Sequence, residues 1–83
     1  MKTPETGVRQ SEPALWLEQH GDALFAYALG RTRNRATAED LVQDTLLAAF
    51  ASRDAFKGGS AERTWLIGIL KHKVIDCLRR RGR

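Results

Sequence analysis

Cysteine is almost missing from this sequence, and so is any long apolar run. Cys77 is the single thiol among 83 residues, so no disulfide can close within the chain. A metal site would need Cys77 to meet His20 and His72. On a helix, His72 and Cys77 point about 140° apart, so the three do not converge and no metal or other cofactor is expected. Cys77 then reads as a small buried hydrophobe. No stretch approaches the roughly 20 apolar residues that span a bilayer. Met1 to Glu12 is polar and lacks the apolar segment of a secretory signal. A cytoplasmic protein without a membrane partner is expected. Catalytic constellations are missing too. No Ser stands with a His and an acid in a recognisable local arrangement, and Gly58-Gly59 lacks the lysine and spacing of a phosphate-binding loop. An enzyme is not expected. Strand alternation, internal repeats and low-complexity tracts are likewise absent, which leaves an all-α fold class.

At 83 residues there is room for one domain whose core is a single apolar seam shared by two or three helices. Residues 1–11 read as a disordered tail and residues 12–83 as a helical domain. Ser11 and Pro13 mark a helix start. The first helix is predicted over 12–31, with Leu17, Leu24, Tyr27 and Ala28 at helical spacing and Trp16 and Phe25 beside them. Gly21 is a point where it could bend or break, which would turn a three-helix bundle into a four-helix one. Residues 30–36 read as a connector. Thr37 is predicted to cap a second helix, with Asp40 in the capping-box place and a C-terminus near Arg53. Residues 54–60 form a loop broken by two glycines. Ser60 is predicted to cap a third helix over 61–81, which Gly82 terminates.

What the sequence does have is charge, and it is segregated. Residues 37–56 hold Glu39, Asp40, Asp44 and Asp54 against Arg53 alone. Residues 61–83 hold Arg63, Lys71, Lys73, Arg79, Arg80, Arg81 and Arg83 against Glu62 and Asp76. An acidic half beside a basic half suggests two different partners, the second a polyanion. On a helical wheel the second helix gathers Leu41, Val42, Thr45, Leu46, Ala49 and Phe50 into a core arc. Its opposite arc holds Asp40, Gln43, Asp44, Leu47 and Ala51. Leu47 is out of place among acids and an amide. It is either a scattered surface leucine or the anchor of a docking face whose acids select a basic partner.

The third helix puts Leu66, Ile67, Leu70, Val74, Cys77 and Leu78 on its core arc. The other side carries Trp65, Ile69, His72, Asp76, Arg79, Arg80 and Arg83. Aromatic and cationic groups on one face suit nucleic acid, the cations for phosphates and the ring for an unpaired base. Alternatively, Trp65 packs on a neighbouring helix and the arginines are solvated. In the loop, Lys57 and Ser60 can donate to phosphate, Gly58 and Gly59 allow close backbone approach, and Phe56 can stack or plug the core.

These residues resemble a known family. Ala38-Glu39-Asp40-Leu41-Val42-Gln43-Asp44-Thr45, with Leu46 and Ala49, is similar to the second conserved region of extracytoplasmic-function sigma factors of bacterial RNA polymerase. So is Phe56-Lys57-Gly58 followed by Arg63-Thr64-Trp65-Leu66, Ile69, Asp76, Leu78 and the arginine run. The similarity covers about Leu15 to Arg83. It implies that Asp40, Gln43, Asp44 and Leu47 bind the clamp helices of the beta-prime subunit of core RNA polymerase. It implies that the loop from Phe56 through Lys57 and Gly58 to Ser60 holds a base flipped from the minus-ten promoter element. Arg63, Trp65, Ile69, His72, Lys73, Asp76, Arg79 and Arg80 would then face promoter DNA, as single-stranded non-template strand. An anti-sigma factor covering these surfaces is a further implied partner. Family members commonly carry Asn where His72 stands, which leaves the minus-ten preference open. Nothing in the chain matches the family's second domain, the one that reads the minus-thirty-five element. The alternative reading is a small helical regulator that grips duplex DNA.

Overall fold

The computed structural model describes residues 13–56 and 61–82. Those residues form three helices, α1 (Trp16–Thr32), α2 (Arg35–Ala51) and α3 (Glu62–Arg81). A 3-10 turn, Pro13–Leu15, leads into α1, and a second, Arg53–Ala55, follows α2. Each helix packs on the other two; α1 runs parallel to α3, since His20 meets Glu62 and Thr32 meets Arg81, and antiparallel to α2, which follows it after two residues. The fold is all-α, as the apolar periodicity implies, and α1 is continuous through Gly21.

One seam joins the three. Trp16, Leu24 and Ala28 from α1 meet Ala38, Leu41, Val42 and Ala49 from α2 and Leu66, Leu70 and Val74 from α3. Each large member contributes about 1.5–3 kcal/mol by leaving water, before entropy is subtracted. Several sequence-based core assignments shift. Trp16, placed beside the α1 seam, is fully buried, whereas Leu17 is 62% exposed. Phe50 is 50% exposed, because its ring lies outside under the Arg53 guanidinium, 4.2 Å from the ring centre. Leu78 and Cys77 lie in the last two turns of α3. Leu78 is exposed and Cys77 half-buried.

The turn between α1 and α2 is shorter than the expected connector over 30–36. Thr32 is still helical and Arg35 already is, so two residues make the corner. Arg33 takes the left-handed conformation (φ 58°, ψ 29°) and donates its N–H to the Leu29 carbonyl at 2.8 Å. That position normally favours glycine or asparagine. Asn34 is extended, and its Oδ1 accepts from the Thr37 backbone N–H at 2.8 Å. Asn34 is therefore the cap of α2, and Thr37 is the residue capped. The predicted capping box at Thr37 started the helix two residues late.

Two polar ties fix α3 against α1. His20 Nε2 and Glu62 Oε1 lie 2.9 Å apart, both side chains mostly buried. At the other end, the Arg81 guanidinium donates from both terminal nitrogens to the Thr32 carbonyl at 3.3 Å. A cation there satisfies a carbonyl that α1 leaves unpaired at its C-terminus. α2 ends at Ala51, two residues short of Arg53. Its last carbonyls are taken up locally, with Ser52 Oγ donating to the Ala48 carbonyl and Arg53 to the Phe50 carbonyl. The cap positions of α1 and α3 are Leu15 and Ala61, neither with a side-chain cap, so the predicted caps at Ser11 and Ser60, themselves outside the described residues, are each misplaced. Gly82 follows α3 as expected, but in right-handed geometry rather than a left-handed stop.

Candidate functional site

The outward side of α2 is a ridge. Asp40 and Leu47 lie seven residues apart on its crest, and both are exposed, Leu47 at 69%. Gln43 and Asp44 flank that crest on opposite sides, and each opens into a different groove. Gln43 joins Leu17, Gly21, Asp22, Phe25, Glu39 and Val42 around a groove of about 350 Å³ between α1 and α2. Asp44 joins Leu41, Lys73, Asp76 and Arg80 around one of about 200 Å³ between α2 and α3. The first has apolar walls and acidic edges, while the second is mostly polar. An exposed leucine on a ridge edged with acids can dock on a helix that carries both apolar and basic groups.

The α3 candidates are less open than the wheel suggests. Trp65 is half-buried, not exposed. Its ring meets Trp16 edge to face, with centres 5.7 Å apart and planes at 76°. Its other neighbour is Phe56, stacked at 4.9 Å and 24°. Three rings thus run from the core to the start of the loop. The reason is position: the first turn of α3 lies against the first turn of α1, so a ring at Trp65 reaches Trp16. Trp65 is in part a structural residue, and a base that stacks on it must share space with Phe56. Ile69 is also half-buried and packs on the core.

His72, Asp76, Arg79 and Arg80 are outward as the wheel puts them, and Arg83 lies outside the described residues. Arg63, His72, Asp76, Arg79 and Arg80 are exposed and Lys73 is half-buried. Asp76 and Arg79 form an exposed pair at 3.8 Å, which water screens heavily. Lys73, Asp76 and Arg80 come together in the groove that Asp44 closes from α2. One acid assigned to the α2 face therefore lies beside cations assigned to the α3 face. Lys57, Gly58 and Ser60 lie outside the described residues. Among the described residues, no group of three or more His, Cys, Asp or Glu could hold a metal ion, and no helix is long and apolar enough to cross a membrane.

Four structural features escaped sequence reasoning. Trp16 and Asn34 each had a legible signal, the first as the larger ring at the start of α1, the second as a good cap three residues before Thr37. The His20–Glu62 and Arg81–Thr32 ties join positions 42 and 49 residues apart, and no local pattern announces them.

The described residues thus form an all-α bundle with two chemically different surfaces, an acidic, leucine-crested ridge on one helix and a cationic, aromatic-based face on the next. Comparison with known proteins gives the family. Residues 16–83 match the family described as Sigma-70 region 2. A probable RNA polymerase sigma factor of Haemophilus influenzae is 42% identical over 69 residues, covering 83% of this chain and 36% of that protein. The RNA polymerase sigma factor YlaC of Bacillus subtilis is 39% identical over 62 residues, 75% of this chain and 36% of its own. The ECF RNA polymerase sigma factor SigE of Mycolicibacterium smegmatis is 36% identical over 81 residues, 94% of this chain and 31% of its own. No solved structure gives a significant match. The chain belongs to the sigma-70 region 2 family, of the extracytoplasmic-function kind, and spans about a third of the length of these curated relatives.

Proposed function

We propose that this chain is the part of a sigma factor that docks on core RNA polymerase and opens the minus-ten promoter element, a non-enzymatic role in transcription initiation in the cytoplasm. The domain doing this is residues 12–83. The single observation that carries the reading is Leu47, an exposed leucine on the α2 crest with Asp40, Gln43 and Asp44 around it. Folding gives no reason for a leucine there, and a basic, partly apolar helix of the beta-prime clamp gives one. Once docked, α3 lies ready for the non-template strand. Arg63, His72, Lys73, Arg79 and Arg80 supply cations and donors for phosphates, and Asp76 can accept from a base amino group. The segment from Phe56 to Ser60 receives a flipped base. An anti-sigma factor that covers the α2 ridge would hold the protein inactive.

The test is binding of the purified chain to core polymerase, with Asp44→Lys expected to weaken it by about tenfold. A second arm reads the DNA side. Single-stranded non-template minus-ten DNA should bind better than the same sequence as duplex, because an unpaired base gains stacking worth about 1–3 kcal/mol. Equal polymerase binding by wild type and Asp44→Lys, or a clear duplex preference, refutes the reading. The second result favours a duplex-gripping regulator.

A further inference from the structure

One end of the bundle collects arginine. The C-termini of α1 and α3 and the N-terminus of α2 meet there, as the bond from Arg81 to the Thr32 carbonyl shows. Arg31, Arg33 and Arg35 surround the two-residue corner, and Arg79, Arg80 and Arg81 end α3 beside it. The corner arginines are all exposed, and none is paired with a carboxylate among the described residues.

Two of them stand where local physics argues against them. Arg33 holds a left-handed backbone (φ 58°), which glycine or asparagine adopts with less strain. Arg35 is the first residue of α2, at the positive end of the helix dipole, where an acid is favoured and a cation is not. Local rules broken twice in three residues, both times by arginine, point to a purpose other than folding. The side chains are also partly pre-ordered. The Arg31 guanidinium lies over the Tyr27 ring at 3.8 Å, and that of Arg35 lies 5.3 Å from the Phe25 ring centre. A cation resting on a ring loses less freedom when it meets an anion.

We propose that the α1–α2 corner is a second DNA contact, binding the phosphate backbone of duplex DNA that adjoins the opened minus-ten segment. This rests on the reading of α3 as the minus-ten face. Arg81, next to Arg79 and Arg80, bonds the corner at Thr32, so the corner lies at the C-terminal end of α3, within reach of a strand that leaves the face there. The contact carries no base readout. Arginine forks and a helix corner read charge and spacing, and duplex has twice the phosphate per unit length of a single strand.

The experiment uses the 83-residue chain and four labelled DNAs: minus-ten single strand, the same strand with a duplex arm at one end, the same strand with the arm at the other end, and the arm alone. Anisotropy is read across a salt series. Two variants are compared, Arg33→Gly and the triple Arg31→Gln, Arg33→Gly, Arg35→Gln. Glycine suits the backbone at 33, so Arg33→Gly should melt no lower than wild type, which separates folding from binding. Wild type should bind one armed DNA more tightly than the bare strand. The triple variant should lose that gain, about tenfold at low salt, with the log–log salt slope reduced by roughly two to three. Its affinity for the bare strand should change less than twofold. An armed-DNA affinity that survives in the triple variant overturns the inference, as does an absence of any gain from an arm in wild type. A parallel loss on bare and armed strands overturns it too. The α3 reading fails separately, if the bare strand shows no preference for a minus-ten sequence.

Discussion

Shortening Leu47 to Ala tests the docking ridge without touching the fold. Leu47 is 69% exposed, so the change empties no cavity and the melting temperature should stay within about 2 °C of wild type. Fully burying a leucine side chain is worth about 1.5–3 kcal/mol. About two-thirds of that surface is still open in the free chain, so docking has about 1–2 kcal/mol to gain from it. Leu47→Ala should therefore raise the Kd for a beta-prime clamp-helix fragment by about five- to thirty-fold. The loss should persist at high salt, because it is apolar, whereas the effect of Asp44→Lys should shrink as salt screens it. Interferometry with an immobilised clamp fragment, run at two salt concentrations beside a thermal melt, gives every quantity. If Leu47→Ala binds within twofold of wild type, the crest is not buried by polymerase and Leu47 is a scattered surface leucine. If the loss vanishes at high salt, the leucine is not the anchor.

Three further outcomes follow from the packing. Trp65→Ala removes the middle ring of the Trp16–Trp65–Phe56 column and should destabilise the domain by about 2–4 kcal/mol, less than a fully buried tryptophan, visible as a melting temperature lower by about 10 °C or more; a melt unchanged by the substitution would mean the column does not hold. Asn34→Ala should cost about 1 kcal/mol through loss of the α2 cap, while Thr37→Ala should cost only a few tenths, since the Thr37 backbone N–H is what the cap engages; urea unfolding of the pair decides it, and the reverse order would restore Thr37 as the cap. The Thr45 hydroxyl is fully buried and has no hydrogen-bond partner among the described residues, so Thr45→Val, of nearly the same shape, should stabilise the domain by about 1 kcal/mol; a loss of stability in the same urea assay would mean the hydroxyl is satisfied after all.

The helices and their order were legible in the sequence because apolar spacing fixes which arc of each helix turns inward. Leu41, Val42, Leu66, Leu70 and Val74 needed no further information. What the wheel could not see was which residues near a helix end stay covered. Phe50 and Leu78 lie on the arcs as read, yet the Phe50 ring turns out to the Arg53 guanidinium and Leu78 is left exposed although α3 still meets α1 at Arg81. Trp65 failed in the opposite direction. Its wheel position is outward, yet a large ring in the first turn of α3 reaches sideways to Trp16 on another helix. The α2 cap was misplaced by rule rather than by geometry, because Thr with an acid three residues on satisfies the capping pattern as well as Asn34 does. The ridge of Asp40, Gln43, Asp44 and Leu47 stayed outward as read, since a mid-helix position has no such freedom. The corner at Arg33 was not legible at all. A left-handed residue is invisible in sequence unless glycine or asparagine marks it.

The aromatic column changes what the loop after α2 can be. Phe56 opens the candidate base-capturing segment, and its ring is stacked on Trp65, which is itself seated on buried Trp16. The entry to that segment is thus tied to the core through two ring contacts, each worth about 0.5–1.5 kcal/mol beyond burial. The far side of the segment is fixed by α3, whose Glu62 meets His20 at 2.9 Å. Both anchors lie on α1. Phe56 and Glu62, on either side of residues 57–60, are thus both tied to one helix, at Trp16 and His20, four residues or about 6 Å apart along its axis. If a base is received there, the two sides of its frame are the ones that the fold ties to α1. An insertion in α1 between Trp16 and His20 would rotate one anchor by about 100° and break the frame, even though it touches no candidate DNA-binding residue.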